Sequence, residues 1–183
     1  MKAPFVKAFV IAAMLSAITI VALSIGVAWI LVPAPRERFA TRGFSFELAR
    51  GWACTQEGTE FVCRNGKPPS DSILIMTMKH RSPEDTLSKY EQHLRAGMPM
   101  ADGNGRAEVI SIRRVVIGGA DWVEGVFHGS EVPRYDTTYL AGITAEIGIL
   151  FTMSVHKNFR DIRSKDLKSM AESLVIYQRP DRL

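Results

Sequence analysis

Hydrophobic positions along this chain of 183 residues follow two regimes. From Ala8 to Val32 twenty-five residues run without a charge, rich in Ala, Ile, Val and Leu, and interrupted only by Ser16, Thr19 and Ser24. As a helix that run would measure roughly 37 Å, enough to cross a hydrocarbon core of about 30 Å with some tilt. Past Pro33 the apolar positions recur with the short periods of strands and amphipathic helices. Phe44, Phe46 and Leu48 alternate with Ser45 and Glu47, as in a strand with one buried face. Residues 53–64 read as a hairpin turning at Gly58-Thr59. From Ser72 to Lys79, Ile73 and Ile75 alternate with Leu74, Met76 and Met78, so both faces are apolar and the strand is central.

Ser82-Pro83-Glu84-Asp85 has the composition of a helix start: an N-cap, a proline at the first position and two acids in the first turn. Leu87, Tyr90 and Leu94 give that helix one apolar stripe, and Gly97 ends it. Residues 106–117 and 120–130 form strands around Gly118-Gly119. Val132-Pro133-Arg134 turns the chain into a strand over 135–140, and 147–156 supplies another. A closing helix capped by Ser164 carries Leu167, Met170, Ala171 and Leu174 on one side, followed by a short Val175-Ile176-Tyr177 end.

These patterns divide the chain into a cytoplasmic N-terminus over 1–7, a transmembrane signal anchor over 8–32, a juxtamembrane linker over 33–42 and an exported domain over 43–183. The apolar run is too long for a cleaved signal, and no good A-x-A site follows it. No Cys precedes Cys54, so no lipobox supplies an acyl chain in place of the helix. Pro33 and Pro35 stop the span. The remaining tether reaches at most about 25 Å, which puts Arg36, Arg38 and Arg42 at lipid headgroups.

The order of elements, together with Gly43-Phe44-Ser45-Phe46-Glu47-Leu48, Gly51-Trp52 and the closing Ser173-Leu174, resembles the PsbP/Mog1-like superfamily, and within it bacterial exported proteins of the DcrB and PsbP-like kind. The proline often found before the Gly-Trp pair is replaced by Ala49-Arg50. The resemblance covers residues 43–177. It implies an α+β fold, an antiparallel β-sheet flanked by helices in an α-β-α sandwich, here preceded by one transmembrane helix. It also implies a binding or assembly module without enzymatic activity, and it transfers no site residues.

Charge narrows the partners. Lys and Arg total 23 against 19 acids, but Lys2 and Lys7 precede the apolar run and every acid follows it, leaving 21 against 19 in the rest. The pI near 9.2 therefore does not indicate nucleic acid, since no basic run interleaved with aromatics exists. The four histidines lie on separate elements without metal-ligand spacing. Neither a nucleophile elbow nor a dinucleotide fingerprint is complete. Asp121 and Glu124, three apart in a strand, point to opposite faces. No cofactor is expected.

The candidate partners are membrane lipid and another envelope protein, the latter through Met98 and Met100 in an adaptable loop. A lipid or small-ligand carrier, and a hydrolase with a site assembled only in three dimensions, remain as alternatives. A large apolar pocket would favour the carrier and a flat exposed patch would favour docking. With Gly58 and Thr59 as the turn, Cys54 faces Cys63 at a non-hydrogen-bonded pair whose spacing of about 4.5 Å accepts a disulfide. A bridge there places the domain in an oxidising compartment, the periplasmic side of a bacterial inner membrane.

Overall fold

The computed structural model describes residues 14, 16, 18–20, 36–66 and 70–177. The proposed anchor over 8–32 falls outside these residues except at 14, 16 and 18–20, which are helical. Among the described residues no helix is long and apolar enough to cross a membrane. Residues 36–183 form one compact unit and 1–35 another.

Among the described residues the folded unit has ten strands: β1 (Arg38–Ala40), β2 (Phe44–Glu47), β3 (Trp52–Glu57), β4 (Glu60–Asn65), β5 (Ser72–His80), β6 (Glu108–Ile117), β7 (Ala120–His128), β8 (Tyr135–Ile143), β9 (Ile147–His156) and β10 (Val175–Ile176). Helix α1 (Leu87–Arg95) lies between β5 and β6, and α2 (Arg160–Glu172) follows β9 after a 3-10 turn at Lys157–Phe159. Seven strands make one antiparallel sheet in the order β3-β4-β5-β9-β8-β7-β6. β1, β2 and β10 make a second, three-stranded sheet.

Two short strands carry no readable period, so the second sheet is not apparent from the sequence. β1 lies inside the stretch expected to be a free linker, where Phe39 pairs with Phe46 and packs against Phe44 and Phe61. The helix starts also differ from expectation. α1 begins four residues later than the Ser82 motif suggests, capped by Thr86, whose side chain accepts from the Lys89 amide. Asp85 has been drawn away: its carboxylate accepts from Lys79 Nζ at 2.7 Å and from the Ser82 amide at 2.8 Å, closing a turn ahead of the helix. α2 begins at Arg160 and not at Ser164, because the 3-10 turn capped by His156 leads directly into it.

The hairpin pairs Glu57 with Glu60, Gln56 with Phe61, Thr55 with Val62 and Cys54 with Cys63. The cysteines are joined by a disulfide with their Cα atoms 4.0 Å apart.

The large sheet separates two unlike cores. On one face α2 and the small sheet bury Phe44, Phe46, Trp52, Trp122, Phe151 and Met153. The rings interlock, Phe44 meeting Phe61 edge-on at 4.7 Å and Phe46 meeting Phe151 edge-on at 6.4 Å. On the other face α1 covers a smaller cluster of Leu94, Ala107, Val123, Phe127 and Tyr139. At that contact β7 requires a glycine, since a Cβ at Gly125 would sit 2.8 Å from Leu94 Cδ1.

Candidate functional site

Helix α1 is only nine residues long and packs mainly on β7, with β6 and β8. β5 and β9 continue past it, so on this face part of the sheet has no helix above it. The register places Lys79 beside Gly148, then Thr77 beside Leu150 and Ala141, then Ile75 beside Thr152 and Tyr139. Threonine, alanine and glycine at these positions leave the floor low. The result is a cavity of about 510 Å³ between α1 and the sheet. Thr77, Leu150, Thr152 and Ala141 form its base, Tyr90, His93, Leu94 and Met98 its helix wall, and Glu131 part of its far side.

A second cavity of about 290 Å³ lies further along the same face, lined by Ile73, Arg64, Val132 and Tyr135. Lys79 and Ile73 are six residues apart on β5, about 20 Å at 3.3 Å per residue. Both point to the α1 face, so the two cavities follow one strand. Consecutive residues, Glu131 and Val132, line one each. The segment carrying them, which includes Arg134 at a φ of +67°, is therefore the partition between them.

Polar groups sit at defined points of this trough. At the upper end Asp85 accepts from Lys79, from the Ser82 amide and, at 3.2 Å, from the Tyr90 hydroxyl. The Lys79 ammonium holds the Asp85 carboxyl well below the usual carboxylate range, and Asp85 in turn raises the Lys79 pKa. A Cβ at Gly148 would come within 2.8 Å of the Tyr90 hydroxyl, so the ring requires a glycine beneath it. At the partition the Tyr139 hydroxyl donates to Glu131 Oε1 at 2.5 Å and lies 3.1 Å from Ser130 Oγ. Burial, then the Glu131 contact, pushes the Tyr139 pKa up.

The residues singled out from the sequence are distributed unevenly around this site. Met98 lines the larger cavity, and Met98 and Met100 both pack half-buried against the cluster beneath α1. Arg36 donates to Ser169 at 2.6 Å, and Arg38 donates to Ser45 at 3.0 Å with Glu47 at 3.6 Å. Arg42 is exposed in the turn between β1 and β2.

His93 lines the cavity, whereas His128 Nδ1 lies 2.7 Å from Asp136, which Arg160 also contacts, on the other side of the sheet. Glu124 is 1 % exposed and held by Arg113 at 2.6 Å and Lys168 at 3.1 Å, while Asp121 is exposed. Among the described residues no group of three or more His, Cys, Asp or Glu could hold a metal ion.

Sequence reasoning missed Tyr90, Lys79, Asp85, Tyr139 and Glu131 as a set. Only the alternation of β5 and the stripe of α1 pointed to the same face, and neither shows which small residues hollow it out.

No protein-family model matches the chain, and comparison of its sequence with curated proteins finds no match. Solved structures do match. The chain is similar to cyanobacterial PsbP from Synechocystis sp. PCC 6803, with a TM-score of 0.56 at 15 % identity over 80 % of this chain and 95 % of that one. It is similar to the Ran-binding protein Mog1p of Saccharomyces cerevisiae, with a TM-score of 0.53 at 10 % identity over 78 % and 95 %. LpqN of Mycobacterium tuberculosis, described as involved in cell envelope biogenesis, matches with a TM-score of 0.50 at 8 % identity over 78 % and 91 %. With a seven-stranded antiparallel sheet faced by α1 and α2, and these neighbours, the chain has a PsbP/Mog1-like fold.

Proposed function

We propose that this chain is a non-enzymatic binding module of the bacterial cell envelope whose domain takes an apolar ligand in the trough beneath α1. The observation that carries this reading is the cavity of about 510 Å³, which is of ligand size and lined mainly by apolar groups with a few convergent polar ones. The uncharged run over 8–32 supports tethering to the inner membrane. The Cys54–Cys63 bridge supports a periplasmic domain, and Arg36, Arg38 and Arg42 are all exposed to meet headgroups.

The test uses the full chain in nanodiscs with a photoactivatable palmitoyl probe that labels what its tail touches. Labelled peptides should come from β5 and β9, and Thr77→Phe with Thr152→Phe should abolish that labelling while the domain still unfolds cooperatively. Labelling spread evenly over the surface, or undiminished in the filled variant, overturns the reading.

Docking on an envelope protein is a second reading, favoured by one observation. β6 is a ten-residue strand at the edge of the large sheet, and Val109, Ile110 and Val116 on it are exposed. Such an edge is a template for strand addition. Mog1p is described as Ran-binding, so this fold accommodates a protein partner elsewhere, and LpqN is described as involved in cell envelope biogenesis. A stoichiometric partner whose retention is lost in Val109→Lys with Val116→Lys would establish docking.

A further inference from the structure

Two charged side chains line the larger cavity, and they are not equivalent. Lys79 stands at its upper end, with 60 % of the side chain exposed. The ammonium has three N–H groups, and among the described residues it donates to Asp85 alone, so two remain for a ligand. Asp85 is 7 % exposed and lies behind Lys79, with its oxygens already taken by Lys79, Tyr90 and the Ser82 amide. The group presented outward is therefore the cation. Arg81 adds a second one at the same corner, donating to the carbonyls of Asp85 and Thr144.

Glu131, the other charged residue, sits at the partition, where the Tyr139 hydroxyl occupies one of its oxygens. A cationic head placed against Glu131 would lie between the two cavities and leave each too short for its tail. A head at Lys79 leaves the full length along β5, about 20 Å to Ile73, for an apolar chain. Charge and length thus select the same orientation.

We infer that the trough binds a single-chain amphiphile with an anionic head, the head on Lys79 beside Tyr90 and the tail running along β5 toward Val132 and Ile73. This rests on the ligand-binding reading above and adds the head chemistry and the direction. A charge-assisted contact at a partly exposed lysine corresponds to a preference of about tenfold over an uncharged head.

The experiment places the full chain in nanodiscs with three photoactivatable probes that share a hexadecyl-length tail and differ in the head: palmitic acid, monopalmitoylglycerol and hexadecyltrimethylammonium. At mildly alkaline pH the acid should label β5 and β9 about tenfold more efficiently than the glycerol ester, and the cation least. Moving the photoactivatable group from the middle of the tail to its end should move the label from Thr77 and Leu150 toward Ile73 and Val132. Lys79→Gln alone leaves Asp85 without its main partner, so the informative variant is Lys79→Gln with Asp85→Asn, which removes both charges together. It should bring the acid down to the level of the glycerol ester without lowering the ester.

Equal labelling by all three heads overturns this inference and leaves the apolar site standing. A preference for the cation, or a preference for the acid that survives the double variant, also overturns it. Absence of labelling in β5 and β9 by every probe overturns the apolar site itself.

Discussion

The two faces of the large sheet are built from the same strands, yet they do opposite things. On the α2 face, successive side chains of β9, Phe151, Met153 and Val155, are fully buried, and every ring has a neighbour. On the α1 face the intervening residues are Leu150, Thr152 and Ser154; the first two are only half-buried, and a cavity stands above them. Since dispersion and apolar burial scale with the surface covered, the α2 face carries the stability. The α1 face gives up packing to keep a ligand-sized space. Alternation along one strand thus separates stability from binding, and substitutions at neighbouring positions of β9 should tell the two apart.

Phe151→Ala should have the largest effect. Removing a fully buried ring that touches Phe46 and Trp122 costs about 3–5 kcal/mol, read from the urea midpoint of the full chain. Thr152→Ala, one residue away, should stay within about 0.5 kcal/mol. Equal losses at the two positions would erase the contrast between the faces.

The disulfide belongs to the α2 side, where Cys63 is buried and Cys54 packs against the same core. Replacing both cysteines with alanine should cost about 2–3 kcal/mol. Adding reductant to the wild type should shift its urea midpoint in the same direction, and adding it to the double variant should change nothing. The cavity lies on the opposite face, so probe labelling of β5 and β9 should persist in the variant below its unfolding midpoint.

On the α1 side the ionic groups at the rim make stability depend on acid. The folded-state pKa of Asp85 is depressed, mainly by its hydrogen bond from Lys79. Its contribution is therefore fully present above the unfolded value of about 3.9 and is lost as the pH falls through that value toward the folded one. Asp71, Glu57 and Glu91 are shifted in the same direction, so the wild-type curve alone is a sum over several groups. Measured between about pH 5 and pH 3, Asp85→Asn should start less stable and fall less steeply than the wild type. Parallel curves would remove Asp85 from the list of acid-sensitive groups.

The sequence revealed the two faces unequally, for a physical reason. Strict alternation of large apolar residues in β5 and a turn with glycine at its first position were enough to place the sheet, the hairpin and the Cys54–Cys63 pair. Trp52 and Trp122 are core residues. The cavity left no such signal, because a space is made by what is absent: Thr77 and Thr152 read as ordinary strand residues, Ala141 and Gly148 as weak ones, and none of them as a floor. The start of α1 was misplaced for a related reason. A capping motif records local preference, but Asp85 is claimed by Lys79 on a strand, a contact no local pattern contains. β1 and β10, three and two residues long, are too short to show a period at all.

Tyr139→Phe should cost little stability, and it addresses the partition directly. The Tyr139 ring packs edge-on against Phe127 and its hydroxyl holds Glu131 and Ser130, so the variant keeps the packing and loses only the tie. A hydrogen bond of this kind contributes about 1 kcal/mol, and Glu131 can turn to solvent once released, so the cost should not exceed that. The effect on binding should be of another kind. With the tie gone, the segment carrying Glu131 and Val132 is held mainly by the Tyr135 and Gly129 backbone bonds at its ends, and the passage between the two cavities can widen. Long-tailed probes should then gain labelling at Ile73 relative to short-tailed ones, while short tails, which need only the upper cavity, should be unaffected. A loss of both together would show that Tyr139 holds the floor of the site and not its partition.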